Sequence, residues 1–159
     1  MSIPQLTLAL PPSFGKLTNL TTLTLNGSSL LSLPDVFGGL WSLRELSISN
    51  FKNLTALPLT LWTCTALRRL MLGGCTKLAT LHAALGQLKM LVMLSCRGCT
   101  ALARLPDEVR ELALLEELNL VGCPVLSMYK DMVKNPGANF KGWTWDQRKK
   151  VYDALLMGL

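Results

Sequence analysis

Charge is scarce in this chain: 16% of its 159 residues are Asp, Glu, Lys or Arg, against 50% hydrophobic ones. That balance over that length supplies one buried core, so a folded, soluble, single-domain protein is expected. Long apolar runs are also missing, and none approaches the ~18 residues that a membrane-spanning helix needs. The N-terminus lacks the basic stretch and apolar stretch that together mark a secreted chain. A cytoplasmic protein, or a piece trimmed from a larger array, is the expectation. Histidine occurs once, as His82, which leaves little from which to assemble the four convergent ligands of a zinc site.

Basic residues exceed acidic ones by 16 to 10, for a net charge of +6, yet they form no continuous stripe. Residues 67–90 hold Arg68, Arg69, Lys77 and Lys89 without an acid, whereas residues 91–123 set three bases against Asp107, Glu108, Glu111, Glu116 and Glu117. A patchwork of that kind argues against a nucleic-acid groove.

What the chain does have is self-similarity. Units aligned on an opening leucine start at Leu20, Leu43, Leu67, Leu91 and Leu115, at steps of 23 and then 24 residues. One unit reads Leu67, Leu70, Leu72, Cys75, Leu78, Leu81, Leu85, Leu88, and the next reads Leu91, Leu94, Cys96, Cys99, Leu102, Leu105, Val109, Leu112. In x-Leu-x-Leu-x the two leucines share one face of a strand and turn inward, while the residues between them face solvent. No unit can bury its own leucines, so neighbours must stack and lay their strands into a parallel sheet. Leu10-Pro11, Leu33-Pro34, Leu57-Pro58 and Leu105-Pro106 mark where the chain turns into each return, a place where proline's missing amide proton costs nothing.

The Leu33-Pro34-Asp35-Val36-Phe37-Gly38-Gly39-Leu40 return and the Gly74-Cys75-Thr76-Lys77-Leu78 and Gly98-Cys99-Thr100-Ala101-Leu102 junctions resemble the leucine-rich-repeat family. The likeness is to its intracellular type, as in plant disease-resistance receptors, plant Ras-group repeats and bacterial effectors delivered into plant cells. It implies an α/β solenoid: an arc with short parallel strands on its concave face, helical or irregular convex returns and a helical C-terminal cap. It covers about residues 6–126. Such repeats bind other proteins and carry no catalytic motif or cofactor.

Three regions are expected: a truncated N-terminal repeat at 1–19, repeats at 20–126 and a helical cap at 127–159. In the first, Gln5 to Leu10 is a candidate edge strand, and an edge left open there invites self-association. In the last, a short helix over 127–134 is broken by Pro136-Gly137. Thr144-Trp145-Asp146-Gln147 then reads as a capping box opening a helix that turns Val151 and Leu155 inward.

Cys96-Arg97-Gly98-Cys99 has the spacing of a redox or zinc motif, but the repeat register accounts for both thiols. Cys96 stands at an inward leucine position, and Cys99 shares a column with Cys75 and Cys123, where the thiols should tie down backbone groups as a ladder. Asn19, Asn26 and Asn53 open glycosylation sequons that nothing else supports. Arg148-Lys149-Lys150 reads as a solvated basic run, and Asp107, Glu108 and Glu111 suit the start of a convex helix.

Outward positions then define the candidate partner-binding face: Glu45, Arg69, Met71, Met93, Arg97 and Glu117. Glu45 and Arg69 share a column on adjacent strands about 5 Å apart and should pair. Met71 and Met93 offer deformable apolar area. Arg97, flanked by Gly73 and Val121, is a cation free for a partner's carboxylate. The reading is a non-catalytic module that takes a protein or peptide on the concave sheet, without membrane or nucleic acid. The alternative is the substrate-recruiting repeats of a larger protein, such as an effector ubiquitin ligase or an immune receptor.

Overall fold

The computed structural model describes residues 2–4, 10–27 and 31–127. Six parallel strands lie in sequence order: β1 (Ser2–Pro4), β2 (Thr22–Asn26), β3 (Glu45–Ser49), β4 (Arg69–Met71), β5 (Met93–Ser95) and β6 (Glu117–Asn119). The register follows the leucines. Leu23, Leu46, Leu70, Leu94 and Leu118 are consecutive partners across the sheet, and all five are fully buried. A slip of one residue would send that whole row to solvent, so burial itself fixes the pairing.

Each return contains one 3₁₀ turn: Pro12–Lys16, Phe37–Gly39, Leu59–Thr63, Ala83–Gln87 and Asp107–Glu111. Pro11, Pro58 and Pro106 precede three of these turns with φ of −68°, −64° and −68°, the angle that the pyrrolidine ring imposes. His82 takes the equivalent place in the fourth. It is exposed, as expected for a return, and its Nδ1 accepts from the Ala84 amide at 3.0 Å, which caps the turn. Asp107 and Glu108 open the last turn, and Glu111 pairs with Lys89 at 2.6 Å across neighbouring returns.

The core is one continuous slab between the sheet and the returns, running from Leu10 and Phe14 to Cys123 and Val125. Removing each of its leucines from water contributes about 1.5–3 kcal/mol. Trp62 is buried on the return side at 1% exposure, and its indole N–H meets no acceptor among the described residues.

The N-terminal edge differs from expectation. The edge strand is Ser2–Pro4, pairing Ile3 with Leu25; residues 5–9, which hold most of the anticipated Gln5–Leu10 strand, lie outside the described residues. Leu17, which ends the first 3₁₀ turn, is 41% exposed. At the other end a four-residue helix, α1 (Pro124–Ser127), starts three residues before the expected one. The rest of that helix, the Thr144–Gln147 box, Val151, Leu155 and the Arg148-Lys149-Lys150 run lie outside the described residues.

Candidate functional site

The strands bring the six candidate residues onto one face. Glu45, Arg69, Met93 and Glu117 form a single column through consecutive pairings. Ser47, Met71, Ser95 and Asn119 form the next. Beyond the short strands the ladder continues: the Asn50 amide donates to the Gly73 carbonyl at 2.7 Å, Gly74 to Arg97 at 2.8 Å and Gly98 to Val121 at 2.7 Å. Gly73, Arg97 and Val121 are therefore neighbours in a third column, as the spacing predicts. Glu45, Met71, Met93 and Glu117 are half-buried, whereas Arg69 and Arg97 are exposed.

Glu45 and Arg69 do pair, at 3.3 Å. Their side chains remain 40% and 55% exposed, so water screens the attraction to a few tenths of a kcal/mol, up to about 1. The Arg97 guanidinium has no hydrogen bond or ion pair among the described residues. Beside it, a Cβ built on Gly73 would come within 4 Å of nothing except the Arg97 carbonyl oxygen, at 3.9 Å. The face thus has a notch next to an unspent guanidinium.

A polar cluster at the other end of this column escapes the repeat pattern. Asn26 Oδ1 accepts from Ser49 Oγ at 3.3 Å and from Asn50 Nδ2 at 3.0 Å. Asn50 has φ of +63°, and it aligns with Gly27, Gly74, Gly98 and Gly122, all at positive φ. The alignment of Asn50 with four glycines is the signal for this turn, since asparagine is the side-chain residue that best tolerates the left-handed region.

The thiol ladder has the expected form. Cys75, Cys99 and Cys123 donate to the carbonyls of Ile48, Leu72 and Cys96 at 3.6, 2.9 and 2.9 Å, and Cys64 donates to Phe37 at 3.4 Å. All five cysteines are free and buried. Desolvation pushes the thiols of Cys64 and Cys123 up to about 11 and that of Cys99 up to about 12; it also raises Cys75, and Cys96 well above the usual range. At neutral pH these are protonated donors, which suits a structural role and not a nucleophile's. Among the described residues no group of three His, Cys, Asp or Glu side chains is placed to hold a metal ion.

No protein-family model matches the chain, and no curated protein matches it. Solved structures do. The leucine-rich repeat domain of the type III effector XopL is 32% identical over 70% of this chain, with a TM-score of 0.64. A leucine-rich-repeat protein of Leptospira interrogans is 29% identical over 76% of this chain, at a TM-score of 0.49. The plant peptide hormone receptor RGFR1, solved in complex with RGF2, is 23% identical over 77%, at 0.43. This chain spans only 38%, 37% and 23% of those three. The leucine register, the six parallel strands in sequence order and the likeness to the XopL domain lead to one assignment: the chain belongs to the leucine-rich-repeat family.

Proposed function

We propose that this leucine-rich-repeat module binds a protein or peptide partner across the concave face of its sheet and performs no catalysis. The observation that carries this reading is the preformed row of outward side chains, in which Arg97 stands unpaired among the described residues beside the Gly73 notch. A rigid sheet needs little ordering on binding, so affinity concentrates in a few anchors. Met71 and Met93 supply adaptable apolar area, and Arg97 supplies a donor fork for a carboxylate. Glu45 and Arg69, which neutralise each other, set register more than affinity, and Glu117 offers the opposite charge at the far side. Five buried free thiols suit a reducing compartment such as the cytoplasm. Among the described residues no helix is long and apolar enough to cross a membrane.

A second reading, favoured by the likeness to a domain of a larger effector, makes these repeats the recruiting part of a multidomain protein. The test compares affinity capture by the wild type, Arg97→Glu and Lys89→Glu. Loss of the captured protein with Arg97→Glu alone, at an unchanged melting temperature, is the expected result. Loss with Lys89→Glu while Arg97→Glu still captures would move the binding surface to the returns.

A further inference from the structure

The sheet face carries its charge in separate blocks. Arg44 and Arg68 stand exposed immediately before β3 and β4, and Arg69 follows within β4. Of these three only Arg69 has an ion pair among the described residues, with Glu45, so the block keeps an excess of positive charge. Glu116 stands immediately before β6 and Glu117 begins it, and neither has an ion pair among the described residues. Between the blocks runs β5, where the matching positions are the uncharged Val92 and Met93. At a strand spacing of about 4.8 Å, the basic and acidic positions lie about 10 Å apart across that apolar strip.

This order of positive, apolar and negative is its own complement when reversed. We propose that the face pairs with a second copy of this chain, about a two-fold axis running along β5. That rotation preserves position along the strands and exchanges β4 with β6. Arg68 of each copy then meets Glu116 of the other, Arg69 meets Glu117, and Met93 meets Met93 on the axis. The adjoining turns obey the same exchange. Met90, 40% exposed, lies at the axis, and Leu114, 47% exposed, comes opposite the small Ala66. One patch that answers itself is what an isologous contact requires; an unrelated partner would need no such symmetry.

Arg97 lies four residues beyond Met93, about 13 Å along the strand direction, and the axis sets it opposite its own mate. Like charges hold the two faces apart there, which confines the contact to the end where the strands begin. The contact therefore belongs to the weak class, under about 1,200 Å² in total, and depends on salt. It goes beyond the partner-binding reading: it is tested on the purified chain alone, so its failure leaves that reading standing.

The test is sedimentation velocity of the full chain at high protein concentration, in about 0.01 M and about 1 M salt, across which the screening length falls from about 30 Å to about 3 Å. A dimer is expected at low salt and a monomer at high salt. Arg68→Glu with Arg69→Glu, and separately Glu116→Lys with Glu117→Lys, should each weaken self-association about tenfold or more. An equimolar mixture of the two folded variants should restore the dimer, because positions 68, 69, 116 and 117 are then all acidic in one variant and all basic in the other. Arg97→Ala should tighten the wild-type dimer. A monomer under all conditions overturns the proposal; so does a dimer that ignores both charge reversals, or variants that stay monomeric when mixed.

Discussion

The two halves of the sheet turn their strands into the returns by different chemistry. β2 and β3 are five residues long, and they end in Asn26-Gly27 and Ser49-Asn50, where side-chain amides and a hydroxyl bridge neighbouring repeats. β4, β5 and β6 are three residues long and lead into Gly-Cys junctions, where a buried thiol reaches back to the preceding repeat's backbone. In the second half the hydroxyls of Thr76 and Thr100 repeat the theme, each donating at 3.2 Å to the carbonyl one repeat earlier. Both halves need the same left-handed residue before the turn. The repeat therefore prescribes a backbone conformation and a row of buried leucines, and leaves open which polar group ties one turn to the next.

The largest expected effect attacks what the halves share. Leu94 is fully buried between Leu70 and Leu118, so Leu94→Ala should cost about 2–5 kcal/mol by urea unfolding, as lost transfer energy plus a cavity. A loss below about 1 kcal/mol would mean that the row of leucines does not carry the stack.

Alkaline pH should expose the thiol-built half. An unfolded thiol ionises near pH 8.5, whereas folded Cys123 and Cys99 hold their protons to about 11 and 12. Above pH 9 the unfolded chain therefore binds fewer protons than the folded one, and unfolding free energy falls as pH rises. The decline is up to about 1.4 kcal/mol per pH unit for each such thiol, and it levels off below about pH 8. Urea midpoints between pH 8 and 10 should decline less in Cys99→Ala than in the wild type. Equal slopes would remove the thiols from the account.

The boundary between the halves supplies a sharper contrast. Gly27, Gly74 and Gly98 all have positive φ, but a Cβ meets nothing within 4 Å at Gly27, ordinary contacts at 3.6 Å at Gly98, and Asn50 Oδ1 at 2.7 Å at Gly74. Alanine should cost about 1–2 kcal/mol at Gly27 and at Gly98 through backbone strain, and more at Gly74, where the Asn50 amide must also move. Introducing Asn50→Gly should remove the excess at Gly74 and leave the cost at Gly98 unchanged, as read from thermal melts.

How much of this was legible follows from what each feature requires of a residue. The strand register and the Glu45–Arg69 pair were readable because a period of 24 residues permits one pairing, and burial enforces it. The thiol ladder was readable because Cys75, Cys99 and Cys123 recur at that same period. The left-handed turn at Asn50 and the cap made by His82 were not read, since each replaces the usual residue of its column, Gly or Pro, with a side chain that achieves the same backbone geometry by another route. The strand at Ser2–Pro4 was not read, because it pairs through Ile3 with Leu25, and a lone isoleucine carries no periodicity, whereas Leu6, Leu8 and Leu10 alternate like a strand. The basic and acidic blocks across β5 were visible only as a list of charges until the register set them two strands apart.

The smallest expected effect lies within the ladder. Cys75 and Cys99 are both completely buried, so Cys→Ala removes the same apolar atom and creates a similar void at either site. They differ in the bond lost. The Cys99 thiol lies 2.9 Å from the Leu72 carbonyl, whereas the Cys75 thiol lies 3.6 Å from that of Ile48, where the preceding turn holds Phe51 in place of a cysteine. A net hydrogen bond contributes about 0.5–1.5 kcal/mol; a thiol is a weak donor on a large sulfur, so the bond at 3.6 Å persists and only the closer approach favours Cys99. Cys99→Ala should therefore be the more destabilising by up to about 0.5 kcal/mol in paired urea titrations at pH 7, with Cys123→Ala matching Cys99→Ala because its bond is equally short. If all three variants lose the same amount, the cysteines act only as small apolar fillers, and the second half of the sheet owes its turns to glycine alone.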